Sequence, residues 1–179
     1  MSEVRSAGVN TEAIERFKHS ILPPSWCWSS LETLVDSSRP ICYGILMPKE
    51  NIEVGVLYVK VKDFKGDQID LQSLHRTTHT IANQYRRSSL REGDLLLSIR
   101  GTFGRVAVVP AELTGGNITQ DTARVGVLSG IVPMFVAYWL RSPDCQSYFK
   151  YVARGVAVRG VNIGDLKPCL HFPGSSLKA

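Results

Sequence analysis

The run Asp94-Leu95-Leu96-Leu97-Ser98-Ile99-Arg100, then Gly101-Thr102-Phe103-Gly104, then Arg105-Val106-Ala107-Val108-Val109, restricts the fold more than any other segment. An apolar run, a glycine-bounded turn and a β-branched return predict a β-hairpin with an arginine on either side of its tip. Short turns of this kind join antiparallel strands, so the sheet is expected to be mostly antiparallel.

The flanking sequence predicts a mixture of helices and strands. Asn10 or Thr11 caps a short helix to about Ser20, with Ile14, Phe17 and Ile21 on one face, and Leu22-Pro23-Pro24 ends it. Ser29-Ser30-Leu31-Glu32 matches a capping box for a second short helix over Ser30 to Val35, preceded by Trp26 and Trp28 as core anchors. Ile52 to Val61 alternates like a strand, whereas the polar stretch Asp63 to Thr80 is too long for a tight connection and is expected to be a functional loop. Ile81 to Leu90 is weakly helical, Gly115-Gly116 marks a turn, and Ile118 to Leu128 supplies one or two more strands. Pro133 opens a helix. Ser142-Pro143 starts another that runs to about Arg154, and Gly155 stops it. Val156 to Val161 returns to strand-like sequence. The expected class is α+β: a single mixed domain with mostly antiparallel twisted sheets, an N-terminal helix and a C-terminal helical pair. Residues 1–21 form an arm, 22–173 the domain and 174–179 a tail.

A length of 179 residues suits one domain, and 44% hydrophobic with 21% charged residues is ordinary globular composition, which argues against disorder. No apolar run reaches the roughly 20 residues a membrane span needs, and the N-terminus lacks a secretory pattern. Cys27, Cys42, Cys145 and Cys169 are widely spaced without a C-x-x-C pair, so they are expected to be free thiols in a reducing cytoplasm.

The formal net charge of +5 makes nucleic acid a plausible partner. Between residues 76 and 105 the Lys/Arg positions are all arginine: Arg76, Arg86, Arg87, Arg91, Arg100 and Arg105, against Glu92 and Asp94. A guanidinium fork engages phosphate or a guanine edge with two hydrogen bonds, which an ammonium does not do. A second basic cluster holds Lys150, Arg154, Arg159 and Lys167.

Catalytic patterns are not found. Gly101 to Arg105 lacks the spacing of a phosphate-binding loop, and a strand rather than a helix follows it. His75 and His79 stand four apart, but Arg76 lies between them and no further ligand follows at metal-binding spacing. Asp63, Asp67 and Asp70 are interleaved with Lys60, Lys62 and Lys65 and fit no calcium loop. Neither Cys145 nor Cys169 has an evident His partner, and no G-x-S-x-G elbow occurs. The expectation is a binding module, not an enzyme, without metal or cofactor.

Several segments read in order carry a family resemblance. They are Leu22-Pro23-Pro24-Ser25-Trp26, Leu31-Glu32-Thr33-Leu34, Tyr43-Gly44-Ile45, Tyr58 to Asp63, Leu90 to Arg105, Gly116 to Gln120, Pro133 to Ser142, and Gly160 to Leu166. Together they resemble a target recognition domain of the specificity subunit of type I restriction–modification enzymes, and the block from Gly93 to Arg105 is the most specific part. The resemblance covers roughly residues 20 to 173. It implies a mixed α/β domain that reads one half of a bipartite target in double-stranded DNA, inside a bacterial or archaeal cytoplasm. It also implies modification (methyltransferase) and restriction subunits as partners. A full specificity subunit carries two such domains and this chain has room for one, which leaves self-association as a further possibility.

On this reading the expected base readers are Arg76, Thr77, Thr78 and His79; Arg100, Thr102 and Arg105 at the hairpin; and Asn117, Thr119 and Gln120, with Tyr43 as a lesser candidate. Lys60, Lys62, Arg86, Arg87, Arg154 and Arg159 are expected to neutralise phosphates. Two alternatives compete. One is a recognition region related to that of an adenine DNA methyltransferase, although the Asn/Asp-Pro-Pro-Tyr/Phe signature is absent because Leu22-Pro23-Pro24-Ser25 stands in its place. The other is a basic protein-interaction module facing an acidic partner.

Overall fold

The computed structural model describes residues 29–168 without a break, together with Pro24, Trp26–Cys27 and Gly174–Ser175. The expected N-terminal helix, Trp28, the side chain of Trp26 and the segment 170–173 lie outside the described residues. In chain order the strands are β1 (Trp26–Cys27), β2 (Cys42–Tyr43), β3 (Val56–Val59), β4 (Phe64–Lys65), β5 (Gln68–Ile69), β6 (His75–Thr77), β7 (Leu95–Ser98), β8 (Val106–Val108), β9 (Asn117–Ile118), β10 (Thr122–Val125) and β11 (Gly174–Ser175). The α-helices are α1 (His79–Gln84), α2 (Pro133–Leu140), α3 (Pro143–Val152) and α4 (Ile163–Leu166).

The predicted hairpin forms, with Leu95 opposite Val108, Leu96 opposite Ala107 and Leu97 opposite Val106. It lies in a four-stranded sheet of order β2-β10-β7-β8, antiparallel throughout. A second sheet, β6-β3-β9, has one antiparallel and one parallel pairing. The α+β class with mostly antiparallel strands and a C-terminal helical pair, α2 and α3, is therefore what the chain adopts.

Successive strand residues face opposite ways. Leu95 and Leu97 accordingly join Val106, Ala123 and Val125 in a cluster with Val136, Leu140, Phe149 and Leu166 of the helices. Leu96 joins Ala107, Ile118, Val59, Phe64 and Leu113 on the other side. Both faces of β7 are covered, which is why its sequence is a continuous apolar run rather than an alternation. Pro133 and Pro143 occupy the first turns of α2 and α3, and the Ser142 hydroxyl accepts from the Cys145 N–H at 3.3 Å.

Buried charge ties the sheet to its surroundings. The Asp94 carboxylate accepts from the Arg91 N–H at 2.8 Å and pairs with the Arg39 guanidinium, which also donates to the Ser89 carbonyl at 3.3 Å. Arg124, 1% exposed, donates to the carbonyls of Arg39 (3.3 Å), Pro40 (3.1 Å) and Arg87 (2.9 Å).

Three expectations need correction. The Asp63–Thr80 stretch is not an open loop: it holds β4, β5 and β6. Two of its aspartates are structural: buried Asp63 accepts from the Lys60 N–H (2.8 Å) and the Ser73 hydroxyl (3.2 Å), and Asp70 pairs with Lys65 at 2.6 Å, while Asp67 is exposed. The Ile52–Val61 strand contracts to β3, because its pairing with β6 spans Val56 to Tyr58. Val156–Val161 is not a strand. Gly155 has φ +116°, and a Cβ there would stand 2.3 Å from the Val158 carbonyl oxygen, so the chain folds into a tight loop closed by Arg154 and Gly160.

Removing the Asp94 carboxylate leaves the Arg39 guanidinium and the Arg91 N–H without their partner. Asp94→Ala is expected to lower unfolding free energy by about 3 kcal/mol, read as a shift in the urea midpoint at unchanged slope.

Candidate nucleic-acid interface

Three adjoining hollows of about 590, 760 and 740 Å³ run along one face of the molecule. Gln120 lines all three, and Arg100 lines the first two. The sheet fixes both residues from behind. Arg100 follows β7 and its backbone pairs with Gly160, while the next N–H, of Gly101, donates to the Arg159 carbonyl at 3.0 Å. Gln120 follows β9 and donates its N–H to the Ile45 carbonyl at 3.0 Å. Tyr43 reaches the same face because Gly44 lets the backbones touch: a Cβ on Gly44 would lie 2.0 Å from the Ile118 carbonyl oxygen.

Of the expected contact residues, Tyr43, Lys62, Thr78, Arg100, Thr102, Arg105, Gln120 and Arg154 line this connected surface. Others serve the fold instead. Thr77 is buried with its hydroxyl donating to the Pro48 carbonyl at 2.8 Å. Buried Asn117 accepts a hydrogen bond from the Ser88 hydroxyl at 2.7 Å and donates to the Tyr85 carbonyl at 3.2 Å, and Thr119 is also buried. The Arg76 guanidinium donates to the Gly55 carbonyl at 3.0 Å. Arg159 is folded back onto the carbonyls of Lys150 (2.8 Å) and Ala153 (3.2 Å). His79, Arg86 and Arg87 are exposed but do not line the three hollows, and half-buried Lys60 stands 5.3 Å over the Tyr58 ring.

The surface also gathers residues that the linear pattern did not mark: Leu46, Met47 and Lys49 on the loop after β2, Val158 on the loop after α3, and Asn162. The signal in the sequence was slight, an apolar pair Leu46-Met47 ahead of Pro48-Lys49 in a segment with no regular pattern; the structure leaves both side chains exposed.

The lining is strongly basic. Lys49, Lys62, Arg100, Arg105 and Arg154 contribute cations, and Asp121 is the acidic residue among the described lining side chains. Asp121 stands 3.9 Å from Arg100, and Arg154 lies 3.5 Å from Asp165, with both guanidinium groups more than half exposed. Such open pairs are weak and yield readily to another anion. Arg105 donates one bond to the Phe64 carbonyl at 3.2 Å, which anchors an otherwise exposed fork. Beside the hollows, burial pushes the Lys60 ammonium below its ordinary value, with Lys62 adding to the effect. Burial, then Lys60 and Lys62, likewise depress the His75 imidazole, whose ring meets Tyr58 edge-on at 6.2 Å.

No protein-family model matches the chain. It is 33% identical over 159 residues to the type I restriction enzyme EcoBI specificity subunit of Escherichia coli, an alignment covering 88% of this chain and 33% of that protein. The chain thus spans about a third of the length of the curated relative it matches. Its fold resembles a chain solved in work on complex assembly and conformational transition of the type I R-M system (TM-score 0.63, 20% identity, 94% of this chain and 39% of that one). It also resembles the HsdS subunit from Thermoanaerobacter tengcongensis (TM-score 0.60, 19% identity, 87% and 34%). The S subunit of the type I restriction–modification system from M. genitalium gives a TM-score of 0.52 at 18% identity, covering 89% and 37%.

The depressed His75 imidazole gives stability a pH dependence. Its folded value lies below the free value of 6.5, so the unfolded chain binds the proton more readily, and this one group's contribution is fully present above pH 6.5 and is lost as pH falls below it. His75→Gln is expected to flatten that part of the melting-temperature profile between about pH 7.5 and 5.5.

Proposed function

We infer that this chain, homologous to about a third of a type I restriction enzyme specificity subunit, is one target recognition domain of such a subunit and binds double-stranded DNA through the connected basic hollows. The observation that carries the reading is the convergence of Lys62, Arg100, Arg105 and Arg154 with Gln120 and Tyr43 on one concave surface. Sheet edges and loops from separate parts of the sequence bring them together, and the similarity to a restriction specificity subunit was found independently of that surface.

The division of labour follows from chemistry. Exposed guanidinium and ammonium groups around the hollows hold the phosphates and set the register, with a steep salt dependence. Gln120 and Thr102 are the groups suited to base edges, since a carboxamide pairs bidentately with adenine and a hydroxyl with either base type. A single domain of this kind covers about 600–1,000 Å² of protein surface on DNA, which limits its affinity when it acts alone. On this reading the chain recognises DNA and performs no chemistry, the methyltransferase and restriction subunits supply the reactions, and the domain reads one half of a bipartite target.

Replacing both Arg100 and Arg105 by alanine is expected to weaken binding to random duplex DNA and to flatten the salt slope by about 0.9 for each phosphate that is no longer neutralised. Fluorescence anisotropy between roughly 50 and 200 mM salt measures this. An unchanged isotherm for the double variant removes the hairpin tip from the interface, and an absence of duplex binding by the native chain removes the reading altogether.

A further inference from the structure

The loop 155–159 carries an apolar tip that the fold does not bury. Val156 is fully exposed and Val158 is 57% exposed. Two β-branched apolar side chains in solvent are ordinary on a slack loop, but this loop is braced. The Arg154 and Gly160 N–H groups donate to each other's carbonyls at 2.8 and 2.9 Å, and the Val161 N–H donates to the Ile99 carbonyl at 2.8 Å. Arg159 folds inward onto Lys150 and Ala153, with its guanidinium 6.0 Å from the Phe103 ring centroid. Gly155 supplies the left-handed turn that brings the chain back on itself. The hairpin tip and the loop thus hold each other, and the loop adds an apolar side chain to the basic surface: Val158 lines both the hollow bearing Arg154 and the hollow bearing Arg105, alongside Arg100 and Gln120, which also line both.

We propose that Val158 is a specificity-determining residue that packs against the C5-methyl group of a thymine in the major groove, with Val156 shielding the contact from water. The proposal rests on the DNA-recognition reading above and deepens it. Phosphates give a valine no apolar partner and sugar carbons are alike at every position, so neither carries sequence information, and the surrounding cations hold the backbone of a duplex at this surface. The thymine methyl is the apolar feature that the major groove displays. Valine's stiff χ1 means that little rotamer freedom is lost on contact, and the hydrogen bonds at Arg154, Gly160 and Val161 fix the two ends of the loop that carries it.

The full chain is used to enrich duplexes from a randomised pool, and each thymine of an enriched duplex is then replaced singly by deoxyuridine, which deletes the methyl and leaves base pairing intact. The native chain is expected to bind about four-fold more weakly at one or more such positions. A Val156→Ser/Val158→Ser double variant, with both changes on exposed side chains and an unaltered melting temperature, is expected to bind the thymine and uracil duplexes equally. Duplex binding by the native chain that is indifferent to every thymine-to-uracil change overturns the proposal and leaves the DNA-recognition reading standing. Equal discrimination by the native chain and the double variant also overturns it, because the methyl is then sensed elsewhere. Failure of the native chain to enrich any duplex defeats the underlying reading as well.

Discussion

The architecture depends on the burial of β7 from both sides. Leu95 and Leu97 face the helices and Leu96 faces the second cluster, so the strand cannot slip by one residue without exchanging the two cores. That constraint locates the ends of the hairpin. At its base, Asp94 caps the Arg91 turn and holds Arg39. At its tip, the Ser98 hydroxyl donates to the Thr102 carbonyl and accepts from the Arg105 N–H, both at 2.8 Å. Arg100 and Arg105 therefore emerge at fixed places because three leucines further back have nowhere else to go.

The arginines divide by what surrounds them. Arg124, Arg76, Arg141 and Arg159 spend their forks on backbone carbonyls, where each stitches segments distant in sequence or closes a helix end. Arg100, Arg105 and Arg154 emerge beside hollows with at most one loose partner each. Charge count alone does not separate the two groups. A guanidinium whose bonds close onto carbonyls away from the hollows is an internal fastener, and one that lines a hollow, as Arg105 does beside its single bond to the Phe64 carbonyl, is available to an outside anion.

The hairpin, the proline-started helices and the turn at Gly115-Gly116 were all legible in the sequence because each rests on local chemistry: apolar runs, a proline tolerated in a first helical turn, a glycine at positive φ. The stretch from Asp63 to Thr80 was not legible as structure. Its strands are two or three residues long, too short to show a period: β4 and β5 pair with each other, and β6 pairs with Val56–Tyr58, about 20 residues earlier in the chain. Val156–Val161 misled in the opposite sense, since β-branched alternation suits a strand until Gly155 and Gly160 fold it into a loop. Among the candidate contact residues, the hairpin arginines and Gln120 line the basic hollows, whereas Asn117, Thr77 and Arg159 are engaged within the fold, which residue type did not reveal. A polar side chain in a β-rich segment reads the same whether its partner is solvent or a buried carbonyl.

The amino-acid sequence by itself determined the class of the fold, the central hairpin, the excess of positive charge and the absence of recognisable catalytic patterns, because these follow from periodicity, turn chemistry and residue count. Only the tertiary structure decided which cations share a surface and which are spent internally. It also decided that Leu46, Met47, Lys49 and Val158 stand beside Arg100 and Gln120. Those neighbours come from loops separated by dozens of residues, and their meeting is set by sheet order, by the close approach at Gly44 and by the bond from Gly101 to Arg159. Proximity of that kind leaves no mark on local sequence, because packing selects it after the strands have paired.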